Sequence, residues 1–76
     1  MRQYLLDLRE NRKMSQQDVA QLAGITQAYY CFIEQGKRQR AMSMATLQKL
    51  AMAFSLQPSD IFQMETEYQQ THRKVG

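Results

Sequence analysis

Two pairs of helix-opening and helix-closing residues, set end to end, constrain this chain more than anything else in it: Ser15 with Gly24, then Thr26 with Gly36. Ser and Thr open helices because their hydroxyl oxygens accept from a backbone N–H in the first turn. Glycine closes them because it enters the left-handed region without a Cβ clash. The two pairs predict one helix over 16–23 and another over 27–35, joined by a turn of only three or four residues. Asp18 stands where it can complete a capping box with Ser15. Val19 and Ala23 fall on the inward face of the first helix, and Tyr30 and Ile33 on that of the second. Ala20 is small where the helices must cross, and Ile25 plugs the turn into the core.

The flanking segments carry the same helical signals. Over 3–13, Tyr4, Leu5 and Leu8, followed by Met14, keep helical spacing while Arg2, Asp7, Arg9, Glu10, Arg12 and Lys13 cover other faces. Ser43 caps a fourth helix running through Ala53, with Leu47, Leu50, Ala51 and Phe54 as its inward stripe. Pro58 suits a first helical position, since its missing N–H would have been unpaired there. A short fifth helix to about Met64 follows, with Ile61 and Phe62 pointing inward. No segment alternates with period two, so an all-α bundle of five helices over 1–64 is expected, with 65–76 as a polar tail that frays.

A chain of 76 residues holds one small core, because it removes only roughly 60% of its unfolded surface from water. One Cys and one His supply neither a disulfide framework nor a zinc site, and no carboxylate pair or phosphate loop is present. An enzyme, a metal and a cofactor are therefore not expected, and no small-molecule ligand is evident. No apolar run reaches spanning length and the first residues lack a signal-peptide core, so a cytoplasmic protein without a membrane partner is expected. A net charge of +3 and a sequence pI near 9.3 mildly favour an anionic partner.

In the runs LRENRKMSQQDVAQLAGITQAYYCFIEQGKR and TLQKLAMAFSLQPSDIF, the sequence resembles the Cro and phage-repressor type of helix-turn-helix protein, the Xre-like family, over roughly residues 5 to 62. The resemblance implies a compact lambda-repressor-like five-helix bundle whose third helix enters the major groove of double-stranded DNA. It also implies a transcriptional regulator, typically a dimeric repressor. It further implies a largely buried ion pair between Arg9 and Glu34, and a phosphate contact for Gln16. The chain departs from the common pattern at Tyr30, where a β-branched residue is usual, and at Phe32, where a polar contact residue is usual.

The physics of groove recognition gives the same face. Removing the inward positions leaves Thr26, Gln27, Ala28, Cys31, Phe32 and Gln35 on the outer surface of the third helix. Gln27 can make two hydrogen bonds to adenine, Ala28 offers apolar contact only, and Thr26 can do either. Phe32 has three readings: a core ring, a thymine contact or a protein contact. Cys31 reads as a small, serine-like surface residue. Gln16 and Gln17 open the second helix at its positive dipole end, and Gln35, Lys37, Arg38 and Arg40 follow around the third, as phosphate candidates. Tyr29, half-exposed by spacing, either joins them through its hydroxyl or has no DNA role.

One recognition helix spans too few base pairs to select a site from a genome, so two copies on a palindrome are expected. Candidate interface residues are Met52, Ile61, Met64 and Tyr68, each of which could instead be core. The leading function is a sequence-specific DNA-binding transcriptional regulator acting as a homodimer. The rival is a helix-turn-helix scaffold that binds another protein.

Overall fold

The computed structural model describes residues 1–36 and 42–72. Five helices follow in order: α1 (Gln3–Asn11), α2 (Gln16–Ala23), α3 (Gln27–Gln35), α4 (Met44–Ala53) and α5 (Pro58–His72). There is no strand among the described residues. The radius of gyration, 11.7 Å, is that of one folded domain of this length.

Each short helix is bounded by its own chemistry. The Ser15 hydroxyl accepts from the Asp18 N–H, and the Asp18 carboxylate accepts from the Ser15 N–H, forming a complete capping box on α2. Thr26 caps α3 through the Tyr29 N–H, and Ser43 caps α4 through the Thr46 N–H. Gly24 and Gly36 close α2 and α3 at φ of +73° and +69°. The first helix stops at Asn11 rather than reaching Lys13. Lys13 itself turns into the left-handed region, swinging the chain toward the Ser15 cap.

The core joins Leu5 of α1 to Val19, Ala20 and Ala23 of α2, and to Tyr30 and Ile33 of α3. Leu47, Leu50, Ala51, Ala53 and Phe54 close it from α4, with Ile61 from α5. Met14 and Ile25 pack against it from the loops at either end of α2. Burying each of the Leu, Ile, Val and Phe side chains contributes about 1.5–3 kcal/mol. This is why helices too short to persist alone in water hold together here.

The fifth helix differs most from the sequence expectation. It continues past Met64 to His72, so residues 65–72 belong to the folded body rather than to a frayed tail. Ile61, Glu65 and Tyr68, at helical spacing, form its buried face. The Glu65 carboxylate receives the Nε and Nη2 of Arg2, both at 2.8 Å, the Tyr4 hydroxyl at 2.6 Å and the Gln69 amide at 2.8 Å. The Tyr68 ring lies edge-on to Tyr4, with the Arg2 guanidinium over its face. Phe62, expected inside, falls roughly 100° from Ile61 on the helix and is exposed.

Candidate nucleic-acid interface

The α2–α3 unit is clamped from beneath by one carboxylate. Glu34, on the inner face of α3, accepts from Arg9 Nε at 2.9 Å and Nη2 at 3.1 Å. It also accepts from the Tyr30 hydroxyl at 2.8 Å and from Gln16 Nε2 at 3.0 Å. Its side chain is 3% exposed and that of Arg9 15%. Burial pushes the Glu34 carboxyl up, but the hydrogen bonds from Arg9, Gln16 and Tyr30 outweigh it and hold the group below its ordinary range. Burial, and then the bond to this carboxylate, push the Tyr30 hydroxyl up. One charged group thereby ties α1, the start of α2 and α3 into a fixed register.

The C-terminal end of α3 is held as well. Arg2 donates its backbone N–H to the Glu34 carbonyl and its Nη1 to the Ile33 carbonyl, each at 2.7 Å. A cation on the last carbonyls satisfies acceptors the helix leaves open and sits at its negative dipole end.

With its underside fixed, α3 turns Gln27, Ala28, Tyr29, Phe32 and Gln35 to water, and Thr26 is exposed at its start. The Thr26 hydroxyl oxygen already receives the Tyr29 N–H, which leaves its proton for any ligand. Phe32 is 51% exposed and is not part of the core. Cys31 is half-buried instead of standing on the outer surface, because it lies only about 60° around the helix from buried Glu34 at i+3. Gln17 is exposed at the start of α2, whereas Gln16 is half-buried with its amide on Glu34. Lys37, Arg38 and Arg40 lie outside the described residues.

Two expected interface residues are occupied within the chain: Ile61 is wholly buried in the core, and Tyr68 is 7% exposed against Arg2 and Tyr4. Met52 is 71% exposed at the end of α4, and Met64 is half-buried. Sequence reasoning missed Leu22, exposed on α2, and the Arg2–Glu65 pair, for which neither residue carries a local signal. Among the described residues no group of His, Cys, Asp and Glu could hold a metal ion. No helix among them is long and apolar enough to cross a membrane.

Two short helices meeting at a left-handed glycine, the second presenting an exposed first turn, make the unit that inserts a helix into the DNA major groove. A family model described as helix-turn-helix matches residues 5–61, and the chain belongs to that family, the Cro and phage-repressor, Xre-like type. It is a family of DNA-binding transcription regulators. No curated protein and no solved structure matches the chain.

Proposed function

We propose that this protein is a cytoplasmic transcriptional repressor that binds a palindromic operator as a homodimer, with α3 in the major groove. The observation that carries the reading is the exposed first turn of α3, with Gln27 and Thr26 free of the core while Glu34 and Arg2 fix the helix from below. Gln27 makes a two-bond contact to adenine, and Gln17, Gln35 and Tyr29 reach phosphates on either side. Lys37, Arg38 and Arg40, directly after α3 in sequence, add the charge that makes such binding salt-dependent. The dimer is supported by the large exposure of Met52 and Phe62 on the α4 and α5 side of the domain. Titrating mixed duplex DNA at several salt concentrations tests the reading. Binding whose logarithm falls linearly with the logarithm of salt supports it, and no binding at low salt refutes it.

A second reading has one observation in its favour. Between Lys13 and Lys37 the sequence contains no Lys or Arg, and the exposed side chains there include Leu22, Tyr29 and Phe32. A scaffold that captures another protein would use such side chains, and it would show no salt-dependent DNA binding in the same titration.

A further inference from the structure

The outer face of α3 lacks the groups that read G·C pairs. Guanine is read in the major groove chiefly by Arg or Lys, and cytosine by Asp or Glu. No Lys or Arg stands between Lys13 and Lys37. The two acids of the α2–α3 unit are already engaged: Asp18 accepts from the Ser15 N–H, and Glu34 takes donors from Arg9, Gln16 and Tyr30. What remains on α3 is neutral. Ala28, Phe32 and Gln35 lie along one ridge at i, i+4 and i+7, with Tyr29 beside Phe32 at i, i+3. Tyr30 and Ile33, on the side of the helix turned away from this ridge, are buried, and the anchoring of Glu34 prevents α3 from rolling to hide Phe32. A large apolar ring is therefore held half in water on the face that meets the groove. The major-groove edge of the base pairs offers one apolar group to match it, the 5-methyl of a pyrimidine.

We propose that α3 reads pyrimidine 5-methyl groups, and that Phe32 is the specificity-determining residue that covers one in each half-site. The inference rests on the DNA-binding reading and deepens it. Thymine carries this methyl in every duplex, and 5-methylcytosine carries it where cytosine has been modified. Covering one methyl changes affinity by about three- to tenfold.

The test uses the full chain. Duplexes enriched by the protein from a randomised pool are remade with each thymine replaced in turn by deoxyuridine, which removes only the methyl. One position per half-site is expected to weaken binding by about three- to tenfold. Phe32→Ala should be indifferent to the methyl there, while Phe32→Leu, still apolar, should keep part of the sensitivity; thermal melts check that both variants fold. Placing cytosine and then 5-methylcytosine at that position identifies the source. A gain on methylation shows that the methyl is read on either pyrimidine, and no gain confines it to thymine. Equal deoxyuridine losses in the parent and in Phe32→Ala, or no loss anywhere, overturn the inference while leaving DNA binding intact; the second result is also what a protein contact through Phe32 predicts. Failure to enrich any duplex overturns the DNA-binding reading itself.

Discussion

Arg2 and Glu65, 63 positions apart in the chain, form a two-bond ion pair at 2.8 Å with side chains only 3% and 6% exposed. Arg2 also closes the C-terminal end of α3, so the pair links the fifth helix to the recognition helix through one guanidinium. It has the same composition as the Arg9–Glu34 cluster. In each, a carboxylate receives two nitrogens of an arginine, a tyrosine hydroxyl and a glutamine amide.

Removing one member of such a pair leaves the other charge buried and uncompensated. Glu65→Ala is expected to cost about 3–5 kcal/mol, a large share of the roughly 4–11 kcal/mol available to a domain of this size. Urea denaturation at fixed protein concentration measures it. A loss below about 1 kcal/mol would place the pair in the weak, solvated class. The double change Arg2→Met with Glu65→Leu should recover part of the loss: it removes both charges together but leaves the Ile33 carbonyl and the Tyr4 hydroxyl without these partners.

Acid should unfold the protein through the same two carboxylates. Burial alone would raise Glu34 and Glu65, but their hydrogen-bond donors, Arg9 and Arg2 foremost, hold both below the ordinary carboxylate range. In the unfolded chain they bind protons at a higher pH, so stability rises with pH through that window and is lost as pH falls below about 4.5 toward the folded values. The melting temperature should be nearly level from about pH 5 to 7 and drop steeply below. Glu34→Gln should lower the plateau and flatten the acid slope; an unchanged slope would show that Glu34 does not contribute to it.

Gly24 and Gly36 have nearly the same φ but different surroundings. A Cβ at Gly24 meets nothing within 4 Å, so Gly24→Ala should cost only the left-handed backbone term, about 1–2 kcal/mol. At Gly36 a Cβ would collide with the hydroxyl of the buried Tyr68 and come into ordinary contact with the Met1 backbone. Gly36→Ala should therefore cost at least about 1 kcal/mol more than Gly24→Ala, since overpacking adds to strain. Equal losses in chemical denaturation would contradict the close approach of α5 to the end of α3.

Gln27→Ala should lose about 1–3 kcal/mol on the selected operator while hardly changing affinity for mixed DNA, because a two-bond base contact carries discrimination. Equal loss on every sequence would move Gln27 to the phosphate-contacting residues.

Met52→Glu should shift sedimentation equilibrium at micromolar concentration from dimer toward monomer without lowering the melting temperature of the isolated fold, since the side chain is 71% exposed. A dimer that survives this change and Phe62→Glu lies on another surface.

Much of the molecule could be read from local signals. Ser15, Gly24, Thr26, Gly36 and Ser43 bound the three central helices because capping chemistry acts within one turn of the chain. The inward stripes of α2 and α4 follow from helical periodicity, which is also local. Arg9 with Glu34 was accessible only through the family resemblance, and the pair is formed. The tertiary structure alone decided how far α5 runs. Residues 65–72 look like a polar tail until Glu65 meets Arg2 and Tyr68 meets Tyr4, partners from the other end of the chain. It alone turned Phe62 outward, sank Tyr68 into the fold, and drew the Gln16 amide onto Glu34. A charged residue has no periodic signature that tells whether it is solvated or buried. Its fate depends on whether an opposite charge arrives from a distant segment, because only such a partner offsets the cost of leaving water.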